Sequence, residues 1–201
     1  MIGIIDYGMG NIFSLTGALQ RLDADYILTD DIDKLKSCNA LILPGVGAFT
    51  DAMANLKSRK MDEFLKNWAA DGKPLLGICL GMQLLFEKSY EHGETPGLAL
   101  IPGEVKEIPP LVKVPHMGWN NIKLKNQHPY LPNLEEGFVY FVHSFYAATE
   151  SKYIIASTEY GVEIPAITGL GSVIGMQFHP EKSSETGKKI LEELLKSWRE
   201  I

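Results

Sequence analysis

The chain has little cysteine: Cys38 and Cys79 are the only two in 201 residues. They could form a single pair at most, and without an export signal a reducing, cytoplasmic setting with free thiols is the expectation. No apolar run approaches the roughly 20 residues of a membrane span. The first residues, "MIGIIDYG", have neither the basic start nor the long apolar stretch of a secretory signal, and read instead as a strand. Net positive charge is lacking too. A net charge of −6 and a pI near 5.4 weigh against nucleic acid or an anionic membrane as the main partner. No repeat, low-complexity run or linker divides the chain, so a single domain over residues 1–201 is expected. At that length it buries roughly 70% of its unfolded surface.

Two nucleotide signatures are also missing. "DYGMGN" (6–11) follows the first strand, and Gly8 and Gly10 fit the opening of G-x-G-x-x-G. The third position is Phe13, where close helix–strand packing wants glycine, so a dinucleotide site is disfavoured. The turn still presents backbone N–H groups at a helix start to a ligand or partner. No G-x-x-x-x-G-K-[ST] phosphate loop occurs.

What is present first is alternation. "IGIID" (2–6), "DYILT" (25–29), "ALILP" (40–44) and "PLLGIC" (74–79) are short apolar runs closed by Gly, Pro or Asp, as strands are. Between them, 11–22 and 61–72 space apolar residues at helical intervals, the second ending at Gly72. This order predicts a mostly parallel sheet with helices on both faces. The second half reads as several strands, some antiparallel: "GEVKEI", "VYFVHSFYA", "KYIIAST", "IPAIT" and "SVIGMQFH". A closing helix covers 188–198. The fold class is therefore α/β with a mixed, mostly parallel sheet.

"GICLG" (77–81) has the form G-x-nucleophile-x-G between a strand and a helix. A sharp turn there crowds the positions two before and two after its tip, which explains Gly77 and Gly81. A strained tip at a helix start favours thiolate on Cys79. A buried, inert cysteine is the competing reading, so a base decides the matter. Of five histidines, His92 and His128 read as surface residues and His143 as a core residue. His179 ends a strand before Pro180, and Glu181, two residues on in extended chain, points to the same side. The carboxylate can hold the imidazole tautomer and leave Nε2 for a thiol. Cys79, His179 and Glu181 form the leading catalytic set. "LPGVGAF" (43–49) offers an oxyanion loop, with Gly45 and Gly47 freeing the backbone and the Leu80 N–H joining in, though it reads equally as a plain Pro-Gly turn.

In order and spacing, "PGVGAF", "GICLGMQ" and "HPE" resemble the oxyanion strand, nucleophile elbow and His–Glu pair of class I (triad-type) glutamine amidotransferases. The similarity continues through "DYGMGN", "PHMGWN" (115–120), "YFVHS" (140–144) and "HPEKS" (179–183), nearly the whole chain. "PHMGWN" and "HPEKS" mark the branch serving histidine biosynthesis, as against GMP, carbamoyl phosphate or anthranilate synthesis. The resemblance implies a flavodoxin-like fold, L-glutamine as substrate, and no cofactor or metal. It implies Cys79 as nucleophile with His179 and Glu181 as base and orienter, and Val46 and Gly47 in the oxyanion hole. Gln83, Ser144 and Phe145 are implied for the substrate pocket. Relatives usually carry Tyr at 145, so that hydroxyl is missing, a change of little weight if the pocket uses backbone there.

Ammonia released from glutamine must stay unprotonated to react, so it should pass directly to an acceptor. The glutaminase fold uses the chain and leaves no room for a synthase domain, which predicts a partner subunit. The resemblance implies a (β/α)₈-barrel cyclase as heterodimer partner, making imidazole glycerol phosphate and an aminoimidazole carboxamide ribotide. Asn11, His116, Trp119, Asn120, Lys182 and Ser183 are the interface candidates. Trp119 reads equally as a core aromatic, and Lys182 as a solvated charge. Three alternatives stay open: ammonia supply to a different synthase, for example of a sugar pathway; a non-catalytic binding module; and a generic cysteine hydrolase.

Overall fold

In the computed structural model, residues 1–199 are described. The first half runs β1 (Ile2–Ile5), α1 (Ile12–Arg21), β2 (Tyr26–Thr29), α2 (Ile32–Lys36), β3 (Ala40–Leu43), α3 (Phe49–Ser58), α4 (Met61–Ala70), β4 (Leu75–Ile78) and α5 (Leu80–Gln83). The second half contains β5 (Lys88–Ser89), β6 (Thr95–Pro96), β7 (Glu104–Glu107), β8 (His116–Leu124), β9 (Gly137–His143), β10 (Phe145–Ala148), β11 (Ile154–Tyr160), β12 (Val162–Leu170), β13 (Val173–Met176) and α6 (Ser184–Arg199).

Nine strands form one sheet in the order β2-β1-β3-β4-β13-β12-β11-β8-β9. From β2 to β13 every pairing is parallel, and from β13 to β9 every pairing is antiparallel. The mixed sheet expected from the alternation is therefore present. Every residue of β1, β3, β4 and β13 is buried, because helices cover both faces of these strands. On one face, α1 and α6 supply Leu15, Leu19, Ile190, Leu191, Leu194, Leu195 and Trp198. On the other, Phe49, Met53, Leu56, Phe64, Leu65 and Trp68 come from α3 and α4. A small second sheet, β10-β7-β5-β6, adds Val105 and Ala147 to that side. Among the described residues no helix is long and apolar enough to cross a membrane.

Several elements differ from the sequence expectation. Two helices, α2 and α3, lie where none was read. The first is capped by Asp31, whose carboxylate accepts from the N–H groups of Asp33 and Lys34. The second begins at Phe49, whose N–H is capped from 42 residues away by Glu91 Oε2 at 2.7 Å. The helix expected after Cys79 lasts one turn. Leu98 N–H takes the carbonyl of Leu84, Leu100 and Ile101 take that of Leu85, and Ala99 takes that of Phe86. Those carbonyls are turned to residues 98–101, and the α-helical ladder stops there. "VYFVHSFYA" is two strands, since Ser144 carries the chain from the large sheet into the small one. The last strand stops at Met176 rather than His179.

Candidate functional site

The elbow forms because three glycines interlock. A Cβ on Gly81 would stand 1.9 Å from the Leu43 carbonyl oxygen, and one on Gly77 would stand 2.5 Å from the Gly81 oxygen. One on Gly45 would lie 2.6 Å from the Gly81 nitrogen, so β3, its following loop and the elbow approach backbone to backbone. At the tip, Cys79 has φ 55° and ψ −113°, a strained conformation for a residue with a side chain. The steric reading of the two flanking glycines holds. The dipole of a long helix does not contribute, because only one turn follows.

Next to the elbow, Tyr7 is fully buried and donates to the Pro44 carbonyl at 2.8 Å, pinning the start of the Pro44–Gly47 loop. Burial, with the nearby Cys79, keeps the Tyr7 phenol well above its ordinary pKa, so it stays a donor. Tyr7 lies in "DYGMGN", a stretch whose sequence reading gave this tyrosine no role of its own. Gly47 has φ 97° and Val46 is exposed.

His179 and Glu181 meet as expected, though by another geometry. Residues 180–182 form a 3-10 turn rather than extended chain, and His179 Nδ1 and Glu181 Oε1 are 2.8 Å apart. Both side chains are buried. Glu181 Oε2 has no hydrogen-bond partner among the described residues, which leaves the carboxylate reliant on its imidazole. Burial opposes a charge on His179. Its interactions with Cys79 and Glu181 outweigh that and lift its pKa to about 9. The Cys79 thiol is directed toward the Val142 carbonyl, 4.0 Å away.

A cavity of about 300 Å³ lies over the thiol. Val46, Gly47, Cys79, Leu80, Gln83 and His179 border it from the parallel half, and Val142 through Phe145 from β9 and the kink after it. Eight of the residues expected at the site thus share one cavity: Val46, Gly47, Cys79, Leu80, Gln83, Ser144, Phe145 and His179. A larger hollow of about 420 Å³ between α1 and α6 holds neither cysteine nor histidine, so size does not choose the site. Both N–H groups of the Gln83 amide are engaged, by Phe145 O at 2.9 Å and Gln177 Oε1 at 3.1 Å. Position 145 therefore acts through its backbone, and its lack of a phenolic hydroxyl leaves that bond unchanged. Glu91 also lines the cavity and was missed. Its loop, "SYEHGETPG", carries no motif, and only the fold brings it to α3.

The interface candidates divide. Trp119 and Lys182 are exposed, and Asn11 and Asn120 are half-buried. His116 and Ser183 are buried and cannot be surface contacts in this conformation. Their side chains belong to internal networks formed as the strands pack. Ser183 Oγ donates to His179 O at 2.7 Å and accepts from Tyr140 N–H at 2.9 Å, clamping the histidine's backbone. Contrary to expectation, His128 is also buried; Gly169 has no side chain to keep its ring away. His143 is buried as read, yet it borders the cavity.

The family model described as glutamine amidotransferase class-I matches residues 3–198. The chain belongs to the class-I glutamine amidotransferases. This amidotransferase is 53% identical over 199 residues to a Bacillus licheniformis protein named imidazole glycerol phosphate synthase subunit HisH, covering 96% of this chain and 94% of that one. A protein of the same name from a Geobacillus species is also 53% identical over 199 residues, with the same coverage. A crystal structure of a glutamine amidotransferase shares the fold at TM-score 0.76 and 19% identity, over 96% of this chain and 98% of that one.

Proposed function

We propose that this amidotransferase is the glutaminase subunit of an imidazole glycerol phosphate synthase, hydrolysing L-glutamine and passing ammonia to a cyclase partner in histidine biosynthesis. The observation that carries the chemistry is the buried His179–Glu181 pair beside Cys79 at a strained elbow. The relatives at 53% identity, named as subunits of that synthase, support the pathway. Partner geometry as a heterodimer with a (β/α)₈ barrel, and a cytoplasmic location, belong to the same proposal, as does a single amidotransferase domain over 1–201.

In this reading Cys79 Sγ attacks the side-chain carboxamide carbon of glutamine, with its proton carried by His179. The Leu80 N–H and a Val46 or Gly47 N–H stabilise the tetrahedral oxyanion. Imidazolium His179 protonates the leaving nitrogen, the C–N bond breaks, and ammonia departs from a thioester. Water, deprotonated by the now neutral His179, attacks that thioester and frees glutamate. Glu181 holds Nδ1–H throughout, so Nε2 faces the thiol. At the other end of the substrate, the Glu91 carboxylate offers an acceptor for the α-ammonium. Ser144 and the Phe145 backbone lie along the wall opposite the elbow.

Asn11, Trp119, Asn120 and Lys182 remain the proposed contacts for the cyclase, whereas His116 and Ser183 are assigned internal roles. The test is glutamine turnover by the full chain with and without the cyclase. Turnover of glutamine to glutamate, lost in C79A, supports the reading; turnover of esters or peptides but not glutamine overturns it.

A further inference from the structure

A chain of hydrogen bonds leads from the cavity wall to the open side of the β8–β9 hairpin. Phe145 O, which accepts from Gln83 Nε2, also accepts from His143 Nδ1 at 2.8 Å. His143 Nε2 meets His116 Nδ1 at 2.9 Å, and His116 Nε2 meets the Asn120 side-chain amide at 2.8 Å. Strand register sets the two imidazoles opposite each other, since His116 and His143 are direct cross-strand partners. Aromatic stacking holds the outer ring in plane. His116 lies between Tyr160, centroids 3.8 Å apart at 17°, and Phe141, 4.7 Å apart at 19°.

The proton inventory gives the chain a direction. A carbonyl oxygen only accepts, so His143 Nδ1 must carry a hydrogen. Burial first, and then the neighbouring His116 and His179, hold His143 neutral, with a pKa down to about 3 despite the Phe145 carbonyl. A neutral ring with hydrogen on Nδ1 has a bare Nε2, and His116 Nδ1–H faces it; burial favours a neutral His116 as well, so its own Nε2 is bare and the Asn120 amide must turn its N–H toward it. Donation therefore runs from His116 to His143 to Phe145 O. That oxygen sits at the kink where the chain leaves one sheet for the other, and it also holds the Gln83 amide.

We propose that His116 is a positioning residue for the glutaminase site: its hydrogen bond orients His143, which fixes the Phe145 carbonyl and, through it, the Gln83 side chain. The role rests on the glutaminase reading and goes beyond it, since His116 reaches the cavity only through His143. Without the His116 donor, His143 Nε2 is left bare inside the protein. The ring is then free to turn, and the carbonyl loses its second donor.

Two electrophiles test this on the full chain, with and without the cyclase. A diazoketone analogue of glutamine must occupy the substrate pocket before alkylating Cys79, whereas iodoacetamide has no amino-acid end to position. H116F keeps a ring between Tyr160 and Phe141 but has no donor; H116Q keeps a side-chain N–H but loses the ring. The expected result is an analogue rate about tenfold lower in H116F, an unchanged iodoacetamide rate, and recovery to within about threefold of wild type in H116Q. An H116F chain that labels like wild type, or in which both reagents slow together, overturns the proposal, as does an H116Q chain slower than H116F. Imidazole ¹⁵N shifts of the wild-type chain need no variant. His143 as the Nδ1–H tautomer supports the relay, and the Nε2–H tautomer overturns it. If the analogue labels wild-type Cys79 no faster than iodoacetamide does, the glutaminase reading itself has failed, while the tautomer still reports on the relay.

Discussion

The two halves of the large sheet reach the same cavity by different means. The parallel half holds its contribution by exclusion: Gly45, Gly77 and Gly81 let three backbone segments touch, and no side chain fits between them. The antiparallel half holds its contribution by side-chain hydrogen bonds, through Asn120, His116, His143 and the Phe145 carbonyl. A steric lock fails outright when a methyl is added. A hydrogen-bonded relay loosens by degrees. The histidines show the same division. His179, on the loop after β13, gains carboxylate and thiol partners and is raised to about 9, whereas His143, on β9, is buried among other imidazoles and falls to about 3.

The largest way to break this contrast is G81A. Its Cβ would overlap the Leu43 carbonyl, so a destabilisation of about 3 kcal/mol or failure to fold is expected in urea titrations. A G81A chain with wild-type stability would remove the steric lock. Next is E181Q, expected to fold yet lose about 100-fold or more in glutamine turnover, because an amide no longer secures Nδ1–H and the imidazolium. Near-normal steady-state rates would detach Glu181 from the mechanism.

A pH series of urea titrations sharpens the contrast between the histidines. The contribution of His179, whose folded pKa lies above its ordinary 6.5, is complete below about pH 6.5 and fades as pH rises through about 9. That of His143, whose folded pKa is depressed, is complete above about pH 6.5 and fades as pH falls toward 3. H179Q should therefore flatten the alkaline limb, and H143Q the acid limb. If both variants altered the same limb, the two environments would not differ as described. The smallest effect is F145Y, expected to change KM for glutamine less than about threefold, because the backbone oxygen at 145 makes the contact. A larger change would bring the ring itself into the pocket.

The same division governs what the sequence made legible. Steric locks leave compositional marks: Gly77 and Gly81 around Cys79, and Gly45 and Gly47 after Pro44, are visible without coordinates. So are the buried parallel strands, whose apolar runs have flanking helices. Relays leave almost none. His116 was read as a surface contact and His143 as core, since nothing in a linear chain reveals that register sets them opposite each other. The break at Ser144 was hidden because both strands on either side are apolar and aromatic. The single turn of α5 was hidden because its ladder is ended by residues 98 to 101, which local propensity does not see. Glu91 and Tyr7 were missed for the same reason, each acting on a backbone group far away in sequence.

The most direct test of the central claim is product formation by this chain together with the proposed cyclase partner, supplied with glutamine or with ammonium salt, for wild type and C79S. The account predicts that C79S loses glutamine-dependent formation of imidazole glycerol phosphate by at least about 1,000-fold and keeps the ammonia-dependent reaction at the wild-type rate. Glutamine-dependent product at a near-normal rate in C79S would contradict it.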